Sequence, residues 1–206
     1  FESCKINGLL FVSLDANEHF HSQARCCPCC CQRTLHRPAE PGPTPAVTEY
    51  YHRYVFAHLS GGAFNALLDL EPIRPGEDEC GAALRLLGRM RRAYGVRFFD
   101  AISVDAWYVQ GPFLKAVEKL GWEWVVVLKQ ERLDVFQEAH RLLALNDPEG
   151  MSAFHDAERG RDVRLSEVKD LSFSQGYGTT VRVGQSEERW TQKRKVGGKT
   201  VAQAQQ

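Results

Sequence analysis

The stretch Gly8-Leu-Leu-Phe-Val-Ser-Leu14 running into Asp15 is answered further along by Phe98-Phe-Asp-Ala-Ile-Ser-Val104 running into Asp105-Ala-Trp-Tyr108. Short apolar runs of this length, bounded by polar residues, read as buried strands. A carboxylate just past a buried strand is held at the sheet edge, where two acids from neighbouring strands can share divalent metal ions. A single strand-end Asp is commonly a turn former or a helix cap. Two of them, each ending a buried run, point to Asp15 and Asp105 as candidate catalytic, metal-binding residues.

Working outward, Leu9–Leu14, Tyr50–Leu59 and Phe64–Glu71 read as three strands, with Gly61-Gly62 suited to a hairpin between the last two. Pro75-Gly76 stops the third strand, and Glu77-Asp78-Glu79 places acids at the positive end of a helix. Cys80, Ala83, Leu84, Leu87, Met90 and Tyr94 then recur at three- and four-residue steps, predicting one apolar helix face that ends at Gly95. Arg85, Arg89, Arg91 and Arg92 fall on its expected wet face. After the strand that leads to Asp105, Gly111-Pro112 opens a second helix stopped by Gly121, and Trp122–Leu128 predicts a strand covered on both faces. Val135, Phe136, Ala139, Leu142 and Leu143 mark a third helix. This order is α/β, with one sheet buried between helices.

Five of the seven cysteines lie in Cys26-Cys-Pro-Cys-Cys-Cys31, as two overlapping C-x-x-C pairs, Cys26/Cys29 and Cys27/Cys30. Such spacing suits two thiolates on one Zn²⁺, leaving two positions for ligands such as His19, His21, His36 or His52. A loop of reduced cysteines without metal is the competing reading. Residues 32–48, with Pro38, Pro41, Pro43 and Pro45, read as loop, which makes 19–48 an excursion from the core. After Pro148, Val163–Val168, Thr179–Gly184 and Trp190–Val196 read as short strands. Arg189, Lys193, Arg194, Lys195 and Lys199 make the end of this segment basic, fit either for phosphate or for protecting an edge strand.

Phe11-Val-Ser-Leu-Asp-Ala-Asn-Glu18, Cys27-Pro-Cys-Cys30, Glu49-Tyr-Tyr-His52, Leu68-Leu-Asp-Leu-Glu-Pro-Ile73 with Pro75-Gly-Glu-Asp-Glu79, Asp105-Ala-Trp-Tyr108 with Pro112-Phe113, and Val127-Leu-Lys-Gln-Glu131 follow in order. As a set they resemble insertion-sequence transposases with a ribonuclease H-like, D-D-E catalytic core. The resemblance implies a mixed sheet flanked by helices over residues 1–150, a Cys-rich excursion at 19–48 and a β-rich insertion over 151–206. It implies that the strands before Asp15 and Asp105 lie side by side, and that Mg²⁺ or Mn²⁺ is held there for cleavage and transfer of DNA strands. It favours Cys27 and Cys30 as ligands of a structural Zn²⁺. Lys129 and Arg132, beyond the fifth strand, become candidates for DNA phosphate contact. The family's third acid is a Glu after the insertion, within a signature not found in this sequence. Glu138, beside the apolar stripe of the third helix, is the substitute within it. The alternative function is an inactive remnant with residual DNA or zinc binding.

Composition adds bounds. With 206 residues and 43% hydrophobic content the chain can bury one full core and a small appendage. A formal net charge of zero gives no overall pull toward nucleic acid, so any DNA contact rests on local basic patches. No apolar stretch reaches a membrane span and no signal-peptide pattern is present, so the expectation is a cytoplasmic protein without a membrane partner. Phe1 at the start and the polar Ala202-Gln-Ala-Gln-Gln206 suggest a fragment of a longer gene. The resemblance implies a homodimer for the complete protein.

Overall fold

Alternation of buried Val12 and Leu14 with less buried neighbours commits the first run to a strand with one face on the core. The computed structural model describes residues 2–36, 46–61, 65–145, 151–174, 176–196 and 199–205. The chain divides into two compact units, Phe1–Leu128 and Lys129–Gln206. The first differs from the expected 1–150 core chiefly by the third helix, whose packing partner is a strand of the second unit.

The first unit contains β1 (Phe11–Ser22), β2 (Cys31–His36), β3 (Ala46–Ser60), β4 (Ala66–Ile73), α1 (Glu79–Tyr94), β5 (Ala101–Val104), α2 (Gly111–Lys119) and β6 (Glu123–Val126). These strands form a six-stranded sheet ordered β2-β3-β1-β5-β6, with β4 also paired to β3. β1 runs antiparallel to β3 and parallel to β5, which runs parallel to β6. The sheet is therefore mixed and flanked by helices: α1 lies on β3 and β4, and α2 on β6 and α1. This is the expected α/β class, with the strands before Asp15 and Asp105 adjacent.

Local chemistry accounts for the boundaries. Asp78 caps α1 by accepting from the Gly81 N–H at 2.7 Å, and Gly95, at φ +79°, ends it. Gly61 is required by proximity, since a Cβ there would lie 1.9 Å from the Cys4 carbonyl oxygen. The Asp100 carboxylate accepts from the Leu10 N–H at 2.7 Å, tying the start of β1 to the residue before β5. Phe99 stacks on Trp122 beneath this junction, their ring centroids 4.3 Å apart.

Several expectations change. The buried face of α1 uses Leu86 rather than Leu84, and Tyr94 is largely exposed, so the apolar stripe sits rotated from the one expected. Arg85 and Arg89 are not a free wet face: they pair with Glu71, Glu77 and Asp69. Residues 31–36 are a strand rather than loop, because pairing with β3 satisfies their backbone while their side chains stay mostly exposed. Residues 37–45, with the four prolines, and the hairpin tip at 62–64 lie outside the described residues. β6 closes one edge of the sheet and leaves Val125 and Val127 about half exposed, so it is not covered on both faces.

The second unit contains α3 (Asp134–Ala144), β7 (Ser152–Asp156), β8 (Arg161–Ser172), β9 (Thr180–Val196) and β10 (Lys199–Gln205). Its four-stranded antiparallel sheet has the order β10-β9-β8-β7, and α3 packs on β8. The segment is β-rich as expected, with the last two expected strands joined into one, β9. No helix among the described residues is long and apolar enough to cross a membrane.

Candidate functional site

The parallel ladder between β1 and β5 pairs Phe11 with Ala101, Val12 with Ile102 and Ser13 with Ser103. Asp15 and Asp105 each lie two residues beyond its last rung, and both are exposed. The two strands treat them differently. Asp105 follows β5 directly, and its carboxylate accepts from the Trp107 N–H at 2.8 Å, capping the 3-10 turn Ala106–Tyr108. Asp15 does not end its strand, because β1 continues to Ser22 with Asp15 paired to Phe56 of β3. What stops short of Asp15, at Ser13, is the pairing with β5. Its carboxylate makes no hydrogen bond among the described residues, so it keeps its full capacity to accept.

Glu79, the first residue of α1, adds a third carboxyl to this neighbourhood. Its side chain is 13% exposed and pairs with Arg53 of β3 at 3.2 Å. Burial pushes its carboxyl above the usual range, and the Asp105 and Asp15 charges add to that, against lowering by Tyr108 and Arg53. Tyr108 is fully buried, and its hydroxyl makes no hydrogen bond of standard geometry among the described residues. Burial foremost, then the Glu79 charge and a hydrogen-bonding interaction with Glu79, raises it far above its ordinary value. Tyr108 is part of the core behind the site, whereas its neighbour Trp107 is largely exposed.

The cysteine cluster yields the tightest ligand geometry. Cys27 Sγ lies 3.6 Å from Cys30 Sγ, and His52 Nε2 lies 3.6 Å from the first and 3.4 Å from the second. Tetrahedral Zn²⁺, with bonds of about 2.3 Å to sulfur and about 2.0 Å to nitrogen, needs edges of about 3.8 and 3.5 Å. Cys27, Cys30 and His52 can therefore hold a metal ion, and they are the one such trio within 4.8 Å among the described residues. A turn builds it: the Cys30 N–H donates to the Cys27 carbonyl at 3.1 Å, and the Cys27 N–H to Cys30 Sγ at 3.2 Å. A hydrogen bond from the Cys29 backbone, then one from Cys30, holds the Cys27 thiol below its ordinary value, while the neighbouring Cys30 thiol is shifted up. Where β1 approaches this turn, an extra residue interrupts its pairing with β3 between His19 and Ser22, and Phe20 takes φ +59°. Such a bulge bends and twists the strand locally.

Of the remaining candidates, Lys129 and Arg132 are exposed and belong to the second unit, not to the unit that carries Asp105. Glu138 is half-buried on α3, in that same second unit. Arg189 is exposed on β9. Glu18 braces β2 through an ion pair with Arg33 at 2.9 Å. Arg53 and Glu79 were not read as site residues; the one available signal was Glu79 at a helix start in a run of acids. A scan against family models matches nothing, and curated proteins give no match either.

Proposed function

We propose that the first unit is a ribonuclease H-like catalytic core for metal-dependent phosphodiester chemistry on DNA, of the insertion-sequence transposase kind. The observation that carries this reading is the β1–β5 register, which sets Asp15 and Asp105 at the same level beyond neighbouring parallel strands. Mg²⁺ or Mn²⁺ held there would supply an activated water or 3′-hydroxyl and stabilise the leaving oxygen of an in-line displacement. The chain's own contribution is positioning. Capping by the Trp107 N–H fixes the Asp105 carboxylate, β3 fixes Asp15 from the other side, and Asp100 locks the two strands in register. The metal at Cys27, Cys30 and His52 is Zn²⁺ on this reading, in a structural role that clasps the Cys turn to β3. DNA is the partner.

The test is nicking of supercoiled plasmid DNA by the purified chain with Mg²⁺ or Mn²⁺. Activity should be present with either ion, absent in chelator, and reduced by at least about 100-fold in Asp15→Asn and Asp105→Asn. Metal-dependent nicking that survives both substitutions, or no nicking by folded wild-type protein, removes the reading. Metal analysis should find about one zinc per chain, lost in Cys27→Ser and His52→Ala.

A further inference from the structure

We propose that Cys27 and Cys30 form a site of reversible oxidation, at which hydrogen peroxide joins the two zinc-bound sulfurs as a disulfide and releases the ion. The inference rests on the zinc reading of Cys27, Cys30 and His52 given above, and it goes beyond the structural role assigned there.

The turn that builds the metal trio is equally suited to a disulfide. The Cys30 N–H donates to the Cys27 carbonyl at 3.1 Å, and Pro28 takes the second position of the turn. A turn closed in this way keeps its end Cα atoms within about 7 Å, and a disulfide spans about 4.4–6.8 Å. Cys27 Sγ and Cys30 Sγ stand 3.6 Å apart and need only close to a bonding distance of about 2.0 Å, which side-chain rotation supplies. Access selects the same pair. Cys27 is exposed and Cys30 half-buried, whereas Cys4 and Cys80 are buried. Cys26 and Cys29 have the same sequence spacing, but no hydrogen bond or sulfur contact joins them among the described residues. Cys31 Sγ is turned to the Ile73 carbonyl at 4.0 Å.

Zinc and the disulfide exclude each other. Zn²⁺ is held by thiolates, and two sulfurs bonded to one another carry no charge to offer it. His52 is then the one ligand of the trio left. In the step itself, the exposed Cys27 thiolate attacks one oxygen of the peroxide and the O–O bond breaks. Cys27 becomes a sulfenic acid, and the departing hydroxide takes a proton to become water. The Cys30 thiolate then attacks the Cys27 sulfur, the S–O bond breaks, and the second hydroxide also leaves as water. The two sulfurs give two electrons to the peroxide, and the ion leaves as Zn²⁺. One peroxide is consumed for each ion released, and a dithiol reverses the reaction. β2 begins at Cys31, paired with Tyr51 of β3, so the sheet outlasts the loss of the ion. What changes is the turn, which loses its clasp on His52.

The experiment treats the reduced, zinc-loaded chain with hydrogen peroxide and follows released zinc with a chromogenic chelator. Wild type should release about one zinc per peroxide consumed, and should rebind it after a dithiol and fresh Zn²⁺. The triple variant Cys26→Ser/Cys29→Ser/Cys31→Ser keeps Cys27 and Cys30 as the remaining cysteines between Arg25 and Arg33. It should bind and release zinc with the same stoichiometry, and its oxidised tryptic peptide should be lighter by two hydrogen atoms. Zinc retained through a large excess of peroxide, or released with Cys27 and Cys30 unlinked, overturns the proposal and leaves the zinc reading standing. No zinc in reduced wild-type protein removes both. Should the triple variant fail to fold or to hold zinc, fragmentation of the oxidised wild-type peptide decides. A Cys27–Cys30 bond supports the proposal, and a bond from either residue to Cys26, Cys29 or Cys31 overturns it.

Discussion

Val12, Val55, Ala57, Leu86, Ile102 and Leu114 of the first unit are fully buried, contributed by β1, β3, α1, β5 and α2. The second unit closes its core with a smaller set, including Val135, Ala139, Val163, Leu171 and Phe173, from one helix and the strands it meets. Phe154 and Leu165 stay substantially exposed on its sheet. Dense packing from several elements leaves little freedom in the backbone that carries Asp15, Arg53, Glu79 and Asp105. A thin antiparallel sheet supplies surface rather than fixed geometry. Both candidate metal centres lie in the unit that is better able to hold them still.

The strongest way to break this contrast is a pair of truncations. Leu86→Ala, in the middle of α1, should cost about 2–5 kcal/mol through lost burial and the cavity left behind. Leu165→Ala on β8, already partly exposed, should cost under about 1 kcal/mol. Equal losses in chemical denaturation would show that the two cores carry comparable weight.

A smaller effect is expected at the acid–arginine lattice between β4 and α1. Glu71 is 7% exposed and takes hydrogen bonds from both Arg85 and Arg89. Burial works to raise its carboxyl, but those bonds outweigh it and hold it below its ordinary 4.5. Bonds from Arg89 and Arg85 do the same first of all for Asp69 and Glu77. Carboxyls depressed in the folded state add stability that is complete above their unfolded values. That stability is lost as pH falls from the mid-fours through the depressed folded values. Glu71→Ala should cost about 1–3 kcal/mol at pH 7 and flatten the acid limb of a stability-versus-pH curve. An unchanged acid limb would show that the lattice is ornamental. Glu79, raised rather than depressed, contributes with the opposite sign.

The smallest effect expected is at Asp100. Replacing it with Asn should cost about 1 kcal/mol, because the bond to the Leu10 N–H loses its charge but keeps an acceptor. Amide exchange at Leu10 should quicken in that variant. Nicking should fall further than stability does if register governs the aspartates, and an equal fall would show that Asp100 merely braces.

Much of the first unit was legible because its runs are apolar and its punctuation conventional. Asp78, Gly95, Pro112 and Gly121 act where the sequence placed them. β2 escaped notice because its side chains are mostly exposed, so no alternation marks it. The continuation of β1 past Asp15 was hidden for a similar reason: Asn17 through Ser22, polar apart from the exposed Phe20, is held in the sheet by β3. Cys27 and Cys30 were readable from spacing, but selecting His52 among four nearby histidines needed the β1–β3 and β2–β3 pairing. Glu79 looked like an ordinary helix-start acid, and only its depth and its neighbours distinguish it.

His52 and Arg53 are consecutive on β3, and consecutive strand residues project to opposite faces of the sheet. One serves the thiolate trio, the other the carboxylate group. A substitution at either position can silence one centre and spare the other. A single-codon insertion or deletion upstream in β3 cannot, because sliding the strand by one position exchanges the faces of both residues at once. In lineages of this gene, the two centres should therefore survive or disappear together wherever β3 changes length, and drift apart only by point mutation.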